Sequence, residues 1–395
     1  MMKSHGFVCR RIIPGLYLDS SAYAVVSNIL EFSNLHRTLN LPKKCDMQDN
    51  MNVFEGPAAI KDLLNPGKFP YVPLVELPAE LNPFAADNVR IFAKLMNLLP
   101  LANVKAVPAF NMIEEKHRQG KLAGVKRIVE NSSGNTVSSM ALVARQFGVD
   151  ETQSYVPSEI SWHKLLMLLF FGIEPIVNVE PKDPDETDPE SGVYKAWKDG
   201  EAPEALNPGQ YHNEDNPKSH EKWTGPQIWQ QTQGRINIFC AGLGTTGTVI
   251  GNSRYLKSKN PDIRVVGVMR APDNYVPGVR TDKLLKLVGF DWKKHVDYIE
   301  RIETGESYSL SMKISRRGLV VGPSSGLALA GLLQHLKGIK QDNGFDQLRN
   351  KESGDIICVF PCPDGPMPYL DEYFKYVDSS QFPSIRNEDV LINKP

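Results

Sequence analysis

The stretch from Ile236 to Gly251 carries the residues whose types and spacing are best suited to chemistry. A short apolar run leads into a loop rich in glycine and threonine, and a helical pattern follows the loop. Glycines let the backbone turn with its N–H groups exposed, and a helix that begins there adds unpaired N–H groups and its positive dipole end. Thr245, Thr246 and Thr248 add hydroxyl donors. We therefore predict a phosphate-binding loop, although a tight turn without a ligand also fits the pattern.

Two phosphate-binding motifs fit the glycines of this loop. Gly242 and Gly247 match the ends of a P-loop, but Thr248 stands where a P-loop has its phosphate-binding lysine. Gly242, Gly244 and Gly247 also match the dinucleotide motif G-x-G-x-x-G. The next predicted strand, however, ends in Arg270 and not in the acidic residue that holds a ribose hydroxyl. Because arginine can accept a 2′-phosphate, an NADP site stays open at this point.

Composition excludes several classes of protein. A chain of 395 residues can bury a large core and suggests two domains or one large domain with extensions. Its formal net charge of -1 argues against a nucleic-acid or membrane-surface partner. No apolar run reaches membrane-spanning length, and the first residues lack a secretory signal, so we expect a cytoplasmic protein. The five cysteines are scattered and odd in number, which favours reduced thiols, and we predict no metal site.

The order of predicted elements indicates an α/β protein. Residues 1–65 read as a helical extension, with helices predicted after Asp19 and after Pro57. From Tyr71 onward, short apolar runs alternate with helical patterns, which is typical of a parallel sheet. The segment from 181 to 208 is rich in Asp, Glu and Pro, and we expect a solvated surface insertion there.

Several loop motifs, taken together, resemble one enzyme family. They are Tyr71-Val-Pro-Leu-Val-Glu-Leu, Ile91-Phe-Ala-Lys-Leu-Met-Asn with Val104-Lys105, Glu130-Asn-Ser-Ser-Gly-Asn-Thr136, His220 with Thr224-Gly-Pro-Gln-Ile-Trp229, Gly244-Thr-Thr-Gly-Thr248 and Gly322-Pro-Ser-Ser-Gly326. In this order they resemble the cysteine synthase and cystathionine β-synthase family, whose members are pyridoxal-phosphate (PLP) enzymes of the tryptophan-synthase-β type. The resemblance extends from about Tyr71 to Phe374. It implies that the 244–248 loop binds the single phosphate of PLP.

The resemblance also implies the architecture of a fold-type II PLP enzyme. That fold has two three-layer αβα domains with mostly parallel, twisted sheets and the cofactor between them. We expect residues 66–107 and 209–380 to form the larger, PLP-binding domain. Residues 108–208 would form the smaller, substrate-gripping domain, and residues 381–395 a C-terminal tail.

Each implied site residue has a type suited to its role. Lys105 matches the lysine that forms the Schiff base with PLP, a task that needs a primary amine. The other cofactor-binding residues are predicted to be Asn135, Gly244, Thr245, Thr246, Gly247, Thr248 and Ser324, with Asn135 on the ring hydroxyl and Ser324 facing the ring nitrogen. The substrate carboxylate is expected on Ser132, Ser133, Gly134, Asn135 and Thr136, because short hydroxyls and exposed N–H groups bind carboxylates well. His220 is more often structural than catalytic in such a setting.

The chain departs from the family pattern at two places. The family usually has Ser-x-Lys-Asp-Arg around the lysine, whereas this chain has Asn103-Val-Lys105-Ala-Val. Val137 stands where glycine is usual after the Ser-Gly-Asn-Thr loop. We expect these substitutions to change the walls near the reacting carbon and so to alter substrate choice.

The predicted function is PLP-dependent β-replacement on an amino acid. O-acetylserine or a related β-substituted alanine would lose its β-substituent, and the resulting enzyme-bound aminoacrylate would accept sulfide or another nucleophile. Three alternatives stay open: a PLP-dependent β-eliminating lyase or deaminase, an NADP-dependent oxidoreductase, and a catalytically inactive relative that acts as a binding partner. The expected partners are a small-molecule amino-acid substrate and a second copy of the chain in a homodimer, with no nucleic acid and no membrane.

Overall fold

Two β-sheets organise the part of the chain that the structure describes. The computed structural model describes residues 52–181 and 187–392, and the helix predicted after Asp19 lies outside them. The strands are β1 Leu74–Glu76, β2 Val89–Lys94, β3 Arg127–Asn131, β4 Glu151–Pro157, β5 Glu174–Asn178, β6 Ala205–Leu206, β7 Ile236–Gly242, β8 Arg264–Arg270, β9 Tyr298–Ile302 and β10 Ile356–Pro361. The α-helices are α1 Ala59–Leu64, α2 Ala106–Arg118, α3 Asn135–Arg145, α4 Trp162–Phe170, α5 Gly192–Asp199, α6 Asp215–Ser219, α7 Gly225–Gln231, α8 Gly247–Lys259, α9 Thr304–Ser315, α10 Pro323–Gln341 and α11 Leu370–Tyr376.

The larger sheet has six strands in the order β1-β2-β10-β7-β8-β9. Only β1 pairs antiparallel, at one edge; the other pairs are parallel. Parallel strands covered on both faces are expected to be apolar throughout, and β10 is buried along its whole length. Residues of α9 and α10 pack on one face, and residues of α7 and α8 pack on the other. The sheet therefore forms the middle of three layers.

The smaller sheet has four parallel strands in the order β5-β4-β3-β6. Ile128 of β3 packs against Phe110 of α2 and Met140 of α3 in one buried cluster. Val129, the next residue of β3, points to the other face and packs against Ala196 of α5. This alternation follows the two-residue period of a strand, and it gives the smaller sheet helices on both faces.

The prediction that residues 181 to 208 form a solvated surface insertion is partly wrong. Residues 187–208 contain α5, which packs on the small sheet, and β6, which pairs with β3 at Arg127 and Ile128. Ala196 and Ala205 are buried because small apolar side chains fit closely against the sheet. The acidic and proline-rich composition of the segment obscured these apolar positions.

The described cysteines and two of the methionines belong to the buried core. Cys240, Cys358 and Cys362 are buried and unpaired by disulfides, and Met112 and Met140 are core residues. Within residues 52–181 and 187–392, no group of His, Cys, Asp or Glu is arranged to hold a metal ion. In the same ranges no helix has the length and apolar character to cross a membrane.

A fully buried lysine anchors the end of β2. Lys94 donates to the carbonyl oxygen of Val72 at 2.8 Å, to Oε1 of Gln227 at 2.9 Å and to Oε1 of Gln231 at 2.8 Å. We expect Lys94→Met to lower the free energy of unfolding by about 2 kcal/mol, because methionine leaves buried acceptors without a donor. Urea denaturation would measure the loss, with Lys313→Met on an exposed position of α9 as the control. Equal stability of the two variants would contradict this role for Lys94.

Candidate active site

A cavity of about 180 Å³ lies at the carboxyl ends of the strands of the larger sheet. Nearly all of the predicted site residues line it: Lys105, Ser132, Ser133, Gly134, Asn135, Thr136, Gly244, Thr245, Thr246, Thr248 and Ser324. Gly247 is the exception, since it begins α8 and packs against Asn216 behind the wall. The cavity thus gathers segments from Val104 to Tyr369, which are far apart in the sequence.

The loop between β7 and α8 has the geometry of a phosphate cradle. A Cβ atom on Gly244 would lie 2.2 Å from the carbonyl oxygen of Gly278, so only glycine fits there. Thr246 has a positive φ of 67°, which bends the chain into the first turn of α8. The Thr246 Oγ1 atom is buried without a hydrogen-bond partner. An orphaned hydroxyl at the start of a helix fits a bound phosphate group.

Two buried side chains hold the threonines of the cradle in place. Asn216 donates from Nδ2 to Thr245 Oγ1 at 3.2 Å. His220 contacts Thr248 Oγ1 through Nε2 at 3.2 Å and Thr224 Oγ1 through Nδ1 at 3.0 Å. Burial lowers the pKa of His220 to about 3, with a further contribution from the Lys105 charge, so the ring is neutral at physiological pH. Its position supports the structural role favoured by the sequence.

Lys105 lies beside the cradle at the start of α2. Its backbone N–H donates to Asn103 Oδ1 at 2.8 Å, and its Nζ donates to Thr245 Oγ1 at 3.3 Å. Burial lowers the pKa of Lys105 to about 8; the nearby Arg280 charge lowers it further, and Glu130 opposes the shift. A lysine amine that loses its proton near neutral pH is a competent nucleophile and base.

The predicted carboxylate loop follows β3 and ends in the first turn of α3. Its backbone is anchored by Glu130, which is buried and accepts from the N–H of Asn131 at 2.9 Å and from Gln210 Nε2 at 3.1 Å. Burial raises the pKa of Glu130 to about 7. The loop presents small hydroxyls and N–H groups to the cavity on the side that faces Lys105.

Asp364 is a site residue that the sequence reasoning missed. It follows β10, is buried, and lines the cavity. Its Oδ2 accepts from Asn135 Nδ2 at 2.7 Å and from the Tyr369 hydroxyl at 2.7 Å, whereas Oδ1 has no partner. Asp364 therefore fixes the orientation of the Asn135 amide, whose nitrogen carries a second N–H for another acceptor. Its place directly after a buried parallel strand is the sequence signal that could have identified it.

Ser324 lies in the first turn of α10, on the cavity wall, and is nearly buried. A serine hydroxyl is neutral at this position, so it can hydrogen-bond a ring nitrogen without holding it protonated. This geometry is compatible with the predicted role of Ser324.

Lys164 and Tyr275 also line the cavity and were not predicted. Lys164, on α4, donates to the Tyr275 hydroxyl at 2.8 Å and to Glu372 Oε1 on α11 at 3.1 Å. Tyr308 donates to the same carboxylate. The lysine is thus paired, and it connects a helix of the small-sheet side with a helix of the large-sheet side.

The expectation that the departures from the family pattern alter the cavity walls is wrong. Ala106 and Val107 are buried in a cluster with Val72 and Met96, and Val137 is buried in a separate cluster with Leu168. None of these three residues lines the cavity, and each is apolar because it packs inside the protein. Asn103, the fourth departure, is buried and also lies outside the cavity wall, and its Oδ1 accepts from the backbone N–H of Lys105.

The pKa of Asp364 gives a test of its buried environment. Burial raises that pKa from 3.8 to about 6. Ionisation of Asp364 therefore lowers the free energy of unfolding by about 3 kcal/mol at a pH well above 6. About half of this loss occurs between pH 5 and pH 8. We expect Asp364→Asn, which keeps an oxygen acceptor, to gain about 1 kcal/mol over the wild type between pH 5 and pH 8. Thermal or urea unfolding at both pH values measures the gain, with Asp262→Asn on the surface as the control. A stability difference between Asp364→Asn and the wild type that is the same at pH 5 and at pH 8 would show that Asp364 does not ionise in a buried site.

Comparison with known proteins agrees with this geometry. Residues 67–344 match the family described as pyridoxal-phosphate dependent enzyme. A cysteine synthase of Aquifex aeolicus is 31% identical over 302 residues, which cover 75% of this chain and 88% of that protein. The cystathionine beta-synthase of Saccharomyces cerevisiae is 28% identical over 347 residues, covering 82% of this chain and 64% of that protein. The crystal structure of an O-acetylserine dependent cystathionine beta-synthase from Helicobacter pylori has a TM-score of 0.64 at 25% identity, and the match covers 79% of this chain and 96% of that chain.

The family match argues against the NADP-dependent oxidoreductase alternative. The resemblance stated from the sequence motifs and the expected α/β architecture are confirmed. The chain belongs to the pyridoxal-phosphate dependent enzyme family, in its fold-type II cysteine synthase and cystathionine β-synthase branch, and it is an enzyme whose cofactor is PLP.

Proposed function

We propose that this enzyme replaces the β-substituent of an amino acid, with O-acetylserine or a related β-substituted alanine as donor and sulfide or another nucleophile as acceptor. The observation that carries the proposal is that the partly buried Lys105 donates from Nζ to Thr245 Oγ1 in the glycine and threonine loop, and that both residues share a cavity with the small hydroxyl and amide groups of residues 132–136. The sequence relatives support the same reaction class, since cysteine synthases are among them.

PLP supplies an electrophilic aldehyde carbon and an electron-withdrawing ring, which together make the substrate's α-proton acidic. Lys105 would hold the cofactor covalently, and Gly244, Thr245 and Thr246 would hold its phosphate. When its amine is free, Lys105 would take the α-proton from the substrate. The pKa of about 8 for this lysine suits a base that must also return the proton.

The remaining groups orient the substrate. The loop from Ser132 to Thr136 would bind the α-carboxylate, and Asn135, fixed by Asp364, would bind the ring hydroxyl. In the replacement, the bond from Cβ to the leaving group breaks with its electron pair on the leaving atom. The nucleophile then donates its own pair to Cβ, and the α-proton returns.

A β-eliminating lyase or deaminase is the alternative, since it shares every step up to loss of the substituent. Space for an acceptor favours replacement: a second cavity of about 340 Å³ adjoins the first and also has Lys105 in its wall. A nucleophile therefore has room beside the reacting carbon. A homodimeric assembly and a cytoplasmic location stay predictions.

Product analysis distinguishes replacement from elimination. We expect O-acetylserine, O-phosphoserine, serine or cysteine, incubated in turn with sulfide or homocysteine, to give a β-substituted alanine with at least one donor. Chromatography and mass spectrometry identify the product, and each donor without an acceptor is the control. Pyruvate and ammonia forming at the same rate whatever acceptor is present would make the enzyme a lyase.

The Lys105→Ala variant tests the lysine assignment. It should fold and still bind the phosphate group of PLP, but without a covalent bond to the cofactor. Its activity should fall by about 10³-fold or more, because the nucleophile and the base are removed together. Borohydride reduction followed by digestion and mass spectrometry locates the pyridoxyl label, with Lys313→Ala as the matched control. A labelled lysine peptide from Lys105→Ala would show that another lysine carries the cofactor.

A further inference from the structure

The second cavity has a different chemical character from the first. It shares part of its wall with the first, namely Lys105, Ser132, Ser133, Thr136, Gly244, Thr245, Tyr275, Gly278 and Val279. Its remaining wall includes Arg270 at the end of β8 and Arg280 at the end of the following loop. A ligand at Lys105 could therefore extend a substituent toward two guanidinium groups.

These two arginines have few partners. Arg280 donates from Nη2 to the Tyr211 hydroxyl at 2.8 Å and from Nη1 to the carbonyl oxygen of Leu284 at 3.0 Å. Arg270 has a buried Nε without a hydrogen-bond partner. Among the residues that the structure describes, neither arginine has a carboxylate within salt-bridge distance. Burial lowers the pKa of Arg270; Tyr275 opposes this shift, and the Arg280 charge makes a smaller contribution that lowers the pKa further.

The acidic groups near this cavity, among residues 52–181 and 187–392, are already hydrogen-bonded to other partners. Glu180 lines the same cavity, but its oxygens accept from the backbone N–H of Gly192 at 3.1 and 3.2 Å, and Oε1 also accepts from Asn178 at 3.1 Å. Glu130 lies behind the wall and is bound to Gln210 and to the N–H of Asn131. Neither carboxylate pairs with a guanidinium group, so positive charge in the cavity is left for a ligand to balance.

We propose that the second cavity binds an acidic group (a phosphate, a sulfonate or a carboxylate) carried at the β position by one of the two reactants, either the departing substituent or the incoming nucleophile. The proposal rests on the proposed β-replacement. Guanidinium groups bind such anions through paired, charge-assisted hydrogen bonds, and they do so best when partly removed from water. The α-carboxylate is expected at the Ser132–Thr136 loop, which both cavities share, so the arginines are left for the second anionic group of a reactant.

The Arg270→Gln variant is the cleanest test, because the Arg270 Nε has no partner to lose. We expect KM for O-phospho-L-serine, or for mercaptoacetate as acceptor, to rise about tenfold or more. KM for the uncharged-substituent counterparts, O-acetyl-L-serine and 2-mercaptoethanol, should change by less than about threefold, since they make no charge-assisted bond. Arg301→Gln is the control, because Arg301 lies on the neighbouring strand β9 and is ion-paired with Asp282.

A binding measurement gives a second readout that is independent of turnover. Calorimetric titration of inorganic phosphate into the PLP-loaded enzyme should show a site that Arg270→Gln weakens about tenfold and Arg301→Gln leaves unchanged. If Arg270→Gln fails to fold, Arg270→Lys keeps the charge but loses the paired geometry, and it should show a smaller loss of the same kind.

The two KM comparisons, one with a charged donor and one with a charged acceptor, identify which reactant carries the acidic group. A selective rise in KM with O-phospho-L-serine places the acidic group on the donor, and a selective rise with mercaptoacetate places it on the acceptor. Equal effects on charged and uncharged reactants, together with unchanged phosphate binding, would overturn the proposal while leaving β-replacement intact. Failure of every donor to give a β-substituted alanine would instead overturn the proposed function, while the phosphate titration would still report on the cavity.

Discussion

The parallel pairing of β2, β10 and β7 is the constraint on which the site depends. Pro361 at the end of β10 lies opposite Lys94 at the end of β2, and Val359 pairs with Phe239 of β7. The carboxyl ends of the three strands therefore meet at one edge of the sheet, where the loops that follow them converge. Those loops carry Lys105, Asp364 and the glycine and threonine cradle, so the register of the strands sets the distance between the amine and the phosphate position.

Burial at this edge favours the uncharged forms of Lys105, His220 and Glu130. Desolvation lowers the pKa of Lys105 to about 8 and that of His220 to about 3, while it raises that of Glu130 to about 7. Each shift has the sign expected for a charged form that has lost water. The cradle likewise uses N–H groups, hydroxyls and a helix terminus in place of cations. A phosphate bound there would be held by oriented dipoles, which leaves the lysine amine free of a permanent counter-ion.

The sequence predicted the architecture well, because apolar periodicity and glycine-rich turns are local signals. It also predicted a phosphate loop from Thr245, Thr246 and Thr248 on chemical grounds alone, and all three line the cavity. Lys105 was different: nothing in its neighbours distinguishes it from other lysines, and only the family resemblance pointed to it. Asp364 and Arg280 escaped because their importance arises from tertiary contacts with segments far away in the chain.

The family departures show where substrate selectivity can reside. Ala106, Val107 and Val137 differ from the family pattern, yet all three are core residues. Their apolar character is therefore explained by packing and not by contact with the substrate. The cavity walls near Lys105 include Tyr275 and Arg280 from the loop after β8 and Asp364 from the turn after β10. In the proposed reaction, the α-carboxylate would lie at the Ser132–Thr136 loop, on the small-sheet side. The loops of the large-sheet side would then contribute to selectivity for the β-substituent.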